Sequence, residues 1–101
     1  MADGLELRWA KPALEDLKAA RDFTTRADPV AAKRIAERIR ARVLSLRDNP
    51  HLGRMVPEFS REELREIIVP PYRIPYHVNT HEITIVRVWH SRRDLETVPA
   101  E

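Results

Sequence analysis

Asp28-Pro29 is the feature that most constrains this chain, because it divides two apolar stripes of helical period and leaves no room for a linker. An aspartate there can cap free backbone amides, and a proline fills the first turn without losing a needed donor. Beyond it, Ala32, Ile35, Ala36, Ile39, Val43 and Leu46 follow the i, i+3, i+4, i+7 spacing, which predicts a helix of about four turns. Ahead of it, Leu14, Leu17, Ala20 and Phe23 form the other stripe, entered through Pro12. Glu15 and Asp16 fall where they complement the positive end of that first helix. Its start is weakly marked, since neither Ala10 nor Lys11 is a good cap. Two helices joined this tightly make an α-hairpin whose apolar side needs a cover.

The cover reads as β-structure. Leu5-Glu6-Leu7-Arg8-Trp9 alternates strictly, as in a strand with Leu5, Leu7 and Trp9 on one face. Asn49-Pro50 ends the second helix, and a loop from His51 to Glu63 follows. Within it, Ser60 and Glu63 have capping-box spacing and Phe59 and Leu64 staple spacing, which predicts a single helical turn. The last third reads as strands Leu64 to Val69, Tyr72 to Val78 and Glu82 to His90, divided by Pro70-Pro71 and the turn Asn79-Thr80-His81. In the middle strand Tyr72, Ile74, Tyr76 and Val78 share one face, with Arg73 and His77 on the other. Pro75 cannot donate to a ladder and marks a bulge or an unpaired stretch. The expected fold class is α+β in the order β-α-α-β-β-β, a helical hairpin packed on a small, mostly antiparallel sheet. A length of 101 residues suits one domain spanning residues 1–101.

Composition removes several function classes. With no cysteine there is no disulfide framework and no thiolate chemistry. No apolar run approaches the roughly 18 residues that cross a bilayer. Met1-Ala2-Asp3-Gly4 lacks the features of a signal peptide, so no membrane association and a cytoplasmic location are expected. His77 and His81 straddle a turn without a carboxylate motif to complete a metal site. Gly4 and Gly53 are the only glycines, which leaves no phosphate-cradling loop. Neither metal nor cofactor is expected. Net charge is only +2, yet Lys33, Arg34, Arg38, Arg40, Arg42 and Arg47 cluster against the single acid Glu37. Arg34, Arg38 and Arg42 form a row beside the apolar stripe; it is either a surface for an acidic partner or a solvated helix face.

The C-terminal third carries a resemblance. Arg65-Glu66-Ile67-Ile68-Val69, Tyr72-Arg73-Ile74-Pro75-Tyr76-His77-Val78, and Ile85-Val86-Arg87-Val88-Trp89-His90-Ser91-Arg92-Arg93-Asp94 resemble the signature of RelE/ParE toxins. Upstream, Trp9 with Ala13-Leu14-Glu15-Asp16-Leu17 is similar to that family's first helix, and Asp28-Pro29-Val30-Ala31-Ala32 to the start of its second. Asn49-Pro50-His51-Leu52-Gly53-Arg54 is similar to the following turn. The resemblance implies a growth-inhibiting toxin of a type II toxin–antitoxin system, neutralised by a cognate antitoxin in a hetero-oligomer. RelE-like members cleave messenger RNA on the ribosome, whereas ParE-like members poison DNA gyrase.

The residues lean toward the second activity. Metal-independent RNA cleavage needs a base, an acid and cations that stabilise the phosphorane. The set available for it is Arg73, His90, Arg92 and Arg93, with His51, His77 and His81 unsupported. Arg73 either clamps a phosphate or pairs with Glu66 or another acid, and His90 acts as acid or base or else caps the sheet end. Arg65 shares a face with Ile67 and Val69, where a structural salt bridge is expected. Trp9 and Trp89 read as core aromatics. RelE-like nucleases add lysines before the meander and a tyrosine after it, but Asp48 to Val69 contains no lysine and Leu95 to Pro99 no tyrosine. The expectation is a ParE-like protein, without chemistry of its own, that binds gyrase through Arg73, His77, Arg92 and Arg93. Its antitoxin is expected on Arg34, Arg38 and Arg42.

Overall fold

The computed structural model describes residues 5–90, with the side chains of residues 23–25 set aside, so the Phe23 side chain and all of Arg92 and Arg93 lie outside what is described. Asp28 acts as its position predicts. From an extended backbone its side chain accepts the Ala31 amide at 3.1 Å, and Pro29 opens helix α2 (Pro29–Ser45) directly after helix α1 (Lys11–Ala27). At the start of α1 the Ala10 carbonyl takes the amides of Ala13 and Leu14. Asp16 lies too far along α1 to serve its positive end. It receives Arg87 at 2.7 and 3.1 Å and the Val88 amide at 3.0 Å instead, and so ties the helix to the far end of the sheet.

Among the described residues the sheet has six strands: β1 (Glu6–Trp9), β2 (Arg54–Met55), β3 (Leu64–Val69), β4 (Tyr72–Val78), β5 (Glu82–Ile85) and β6 (Trp89–His90). Their order is β1-β5-β4-β3-β2, with β6 also on β4. β1 runs parallel to β5, and the other pairs are antiparallel. One face of β4 supplies Tyr72, Ile74, Tyr76 and Val78 to the core, together with Ile67, Val69, Ile83 and Ile85. The hairpin covers that face through Ala13, Leu17 and Ala20 from α1 and Ile39 and Val43 from α2, joined by Leu46. Ile39 and Ile74 are fully buried, and each such side chain contributes about 2 kcal/mol relative to an exposed one.

The α+β class and the hairpin-on-sheet arrangement are as expected, with three local differences. The strand expected from Glu82 to His90 is broken into β5 and β6. Between Tyr76↔Ile85 and Arg73↔Trp89 the register advances three residues on β4 but four on the partner. The extra residue of this bulge therefore lies opposite Pro75 rather than on its own strand. Pro75 itself stays in register with Glu66, and its carbonyl accepts the Val86 amide at 3.0 Å. The second difference is β2, a two-residue edge strand inside the expected loop, too short to show any alternation. The third concerns Ser60. It has a φ of 54° and donates its amide to the Val56 carbonyl, so it closes a turn instead of capping a new one. The extended backbone that a capping residue needs is absent there.

Candidate functional site

Strand alternation gives the sheet a second face, turned away from the helices. Register places Arg54, Glu66, Ile68, Arg73, Pro75 and Trp89 on it. At its centre Glu66 is buried, with a side chain 0% exposed. Arg73 donates from Nε to Glu66 Oε1 at 2.8 Å, and its Nη1 and Nη2 reach the two oxygens of Glu58 at 3.0 and 2.9 Å. Arg54 donates from Nε to the other Glu66 oxygen at 2.8 Å. Two guanidinium groups thus balance two carboxylates. Hydrogen bonding to Glu58 first, and to Glu66 second, raises the Arg73 pKa above its ordinary value against the effect of burial. Reciprocally, the Arg73 guanidinium holds the Glu58 carboxyl below the usual carboxylate range.

Sequence reasoning expected Arg73 either to clamp a phosphate or to pair with Glu66. The pair with Glu66 is present, and Glu58 completes it. Glu58 and Arg54 were missed. Both come from a segment that reads as loop, and no periodic pattern ties them to β4. Arg65 forms no carboxylate pair among the described residues; it donates to the carbonyls of Glu62 and Gly53, each at 3.0 Å.

The histidines are dispersed. His90 is opposite Tyr72 and meets its ring edge-on, with centroids 5.5 Å apart. It therefore lies on the helix side of the sheet, whereas Arg73 lies on the open side opposite Trp89. His77 is half-buried on the open side between Leu64 and Thr84. His51 and His81 are exposed. Among the described residues no three His, Asp or Glu side chains are grouped to hold a metal ion. No helix there is long and apolar enough to cross a membrane. Trp9 packs against the core, but Trp89, although buried, is outside that cluster and has the Arg87 guanidinium 5.6 Å above its ring.

The hairpin offers a different surface. Arg34, Arg38 and Arg42 are all exposed on α2, in one row. Another flank of α2 carries Arg40 and Leu44, which with Leu7, Trp9, Leu14 and Leu17 line an apolar groove of 280 Å³ beside β1. Leu14 and Leu44 are 50% and 56% exposed, the most open of that groove's leucines. The sequence pattern places Leu14 on the apolar stripe of α1 but does not show that this part of the stripe is left uncovered.

Comparison with known proteins agrees with this architecture. A chain from a solved structure titled "Chromosomal ParDE TA system from P. aeruginosa" superposes with a TM-score of 0.73 at 24% identity, over 88% of this chain and 98% of that one. The protein named Toxin RelE2 of Caulobacter vibrioides is 39% identical over 85 residues, covering 84% of this chain and 93% of the relative. A family described as "ParE toxin of type II toxin-antitoxin system, parDE" matches residues 7–95. With its helical hairpin on a mixed sheet and this match over most of its length, the chain belongs to the ParE toxin family of type II toxin–antitoxin systems.

Proposed function

We propose that this toxin arrests growth by binding DNA gyrase through protein contacts, in the cytoplasm, without catalysing a reaction itself. The observation that carries this reading is the placement of Arg73 and His90. These two members of the nuclease set sit on opposite faces of the β4–β6 ladder, and the Arg73 nitrogens are already committed to Glu58 and Glu66. A phosphate clamp would have to displace two carboxylates from a partly desolvated guanidinium, which is costly. Contact with a protein surface leaves the network intact.

The cognate antitoxin, on the same reading, places acidic side chains on Arg34, Arg38 and Arg42 and apolar ones in the groove bearing Leu14 and Leu44. Opposite charge would speed the encounter, and apolar burial would slow release. The experiment is a supercoiling assay with purified gyrase, relaxed plasmid and ATP. Loss of supercoiling or accumulation of cleaved DNA on adding toxin, reversed by antitoxin, is the expected result. Full gyrase activity at a large toxin excess, with cleavage of ribosome-bound messenger RNA, would replace this reading by the ribonuclease one.

A further inference from the structure

We propose that the crevice between α1 and α2 takes one continuous amphipathic segment of the antitoxin, with apolar side chains at the end bearing Leu14 and Leu44 and a carboxylate at the end bearing Lys33 and Arg40. Two cavities lie along this crevice. The apolar groove of 280 Å³ beside β1 brings Leu14 and Leu17 of α1 together with Val43 and Leu44 of α2. A second cavity, of 270 Å³, is lined by Arg21 of α1 and by Pro29, Lys33, Ala36, Glu37 and Arg40 of α2. Arg40 lines both, so the two adjoin. Each helix changes its chemistry in the same sense along the crevice. On α1 the i, i+3, i+7 set Leu14, Leu17, Arg21 passes from apolar to basic, and on α2 Leu44, Arg40, Lys33 does so in the opposite chain direction.

Charge at the basic end is unmatched. Lys33 and Arg40 are exposed, and neither has an ion pair among the described residues. Among the described residues Glu37 is the single acid lining that cavity, against three cations. By contrast, Arg54, Arg73 and Arg87 are each matched by a carboxylate. A carboxylate entering between Lys33 and Arg40 therefore meets cations that no acid already holds. The neighbouring leucines decide what carries it. Leu14 and Leu44, 50% and 56% exposed, gain by burial against apolar side chains. A phosphate backbone offers charge alone to such a surface. Lys33 and Leu44 are 11 positions apart, or about 16 Å along the helix axis. A partner spans that with about 11 residues of helix or about five of strand, so one short stretch can present both chemistries. The inference rests on the reading that the antitoxin covers the hairpin, and adds the polarity of the covering segment.

The test uses the full chain bound to its cognate antitoxin. The photoreactive residue p-benzoylphenylalanine replaces Glu37 in one variant and Leu44 in another; both positions are exposed, and Lys33 and Arg40 stay in place. After irradiation, mass spectrometry locates the captured antitoxin residues. Both captures are expected within one stretch of about a dozen residues. Asp or Glu should stand beside the residue captured from position 37, and apolar residues around the one captured from position 44. Captures in separate stretches, or a stretch at position 37 without an acid, overturn the proposal. Affinity gives a second readout. Arg40→Gln should weaken antitoxin binding about tenfold, and Arg40→Lys should retain most of it; the site is exposed, so the fold should tolerate both. Full affinity in Arg40→Gln overturns the inference. If Arg34→Glu with Arg38→Glu still weakens binding, the antitoxin remains on the hairpin and the crevice alone is lost; if it does not, the hairpin reading fails as well. An Arg40→Gln variant that keeps antitoxin affinity but loses retention on a DNA duplex assigns the basic end to nucleic acid instead.

Discussion

Tyr76 ties the loop after α2 to the middle of the sheet by accepting the Gly53 amide at 2.9 Å while donating to the Pro50 carbonyl at 2.7 Å. The hydroxyl lies at the end of a fully buried side chain, and burial raises its pKa above the ordinary 10.0. A raised acid pKa means that the folded state favours the neutral phenol. Its contribution is fully present below about pH 10 and declines as pH rises from there toward the raised value. Tyr76→Phe should cost about 1–3 kcal/mol at neutral pH by leaving the Gly53 amide unmet. The variant should also lack the alkaline loss of stability that wild type shows. Urea unfolding at about pH 8 and about pH 11 checks both; equal alkaline losses in the two proteins would refute the assignment.

Gly53 is the other half of that contact. A Cβ there would stand 2.4 Å from the Glu66 carbonyl oxygen and 2.9 Å from the Tyr76 ring. The nearest obstacle is backbone, which cannot swing aside. Gly53→Ala should therefore destabilise by about 1–3 kcal/mol, the range for overpacking, and displace β2 from β3. Loss of amide exchange protection at Arg54 and Met55 would report it; a variant as stable as wild type would contradict the close approach.

The sequence expectation that Arg73 contacts gyrase is revised: with its nitrogens taken by Glu66 and Glu58, it is expected to act through stability. Arg73→Met deprives Glu58 of its partner and leaves Glu66 with Arg54 alone. Removing one member of a buried pair costs about 3–5 kcal/mol, and the value here should fall at the low end, about 3 kcal/mol, because Arg54 remains. A carboxyl whose folded pKa is lowered stabilises above its ordinary pKa and loses that contribution as pH falls through the lowered value. For Glu58 this places the loss below its ordinary 4.5. Because Glu58 is about a third exposed, the acid-side effect should be small, and it should be absent from the variant. Gyrase inhibition by Arg73→Met, assayed at a temperature where the variant is folded, should approach that of wild type. Lost inhibition by a folded variant would make Arg73 a contact residue.

Much of this architecture is legible in the sequence because it depends on periodicity and local capping. Asp28 and the stripe Ala32, Ala36, Ile39, Val43 are specified by neighbours three or four residues away, and the face of β4 by its alternation. What stayed hidden depends on contacts between distant segments. Glu58 reaches Arg73 across 15 residues and Asp16 reaches Arg87 across 71, and no local rule announces either. The break between β5 and β6 belongs to the same class. Pro75 signalled an irregularity, but only the pairing shows that the neighbouring strand absorbs it. For the site, the sequence singled out Arg73 and His90 without revealing that they lie on opposite faces. That follows from the bulge, since an uninterrupted strand from Ile85 would shift the pairing by one residue and reverse the faces.

The basic row on α2 is tested by charge reversal. Arg34→Glu with Arg38→Glu should lower antitoxin affinity at least about tenfold and flatten its dependence on salt. Both side chains are exposed, so the fold should tolerate the change. Calorimetric titration at low and high salt measures both effects. Unchanged affinity would move the interface off this row and leave the groove bearing Leu14 and Leu44 as its remaining part.

His90→Ala separates the two activities of the superfamily most directly. The imidazole packs edge-on against Tyr72 on the helix side of the sheet, and such ring contacts are worth about 0.5–1.5 kcal/mol. On the gyrase reading the substitution costs that much stability and changes inhibition by less than about threefold, because a loss within this range leaves the protein folded. On the ribonuclease reading the same substitution removes the best-placed acid or base, and a general acid or base contributes about 10²–10⁴-fold. The two expectations differ by at least an order of magnitude in rate while agreeing on stability. Growth arrest by His90→Ala, normalised to the amount of folded protein, therefore decides between them. Arrest that persists is the expected outcome; arrest abolished in a folded variant would place the chemistry on the ribosome.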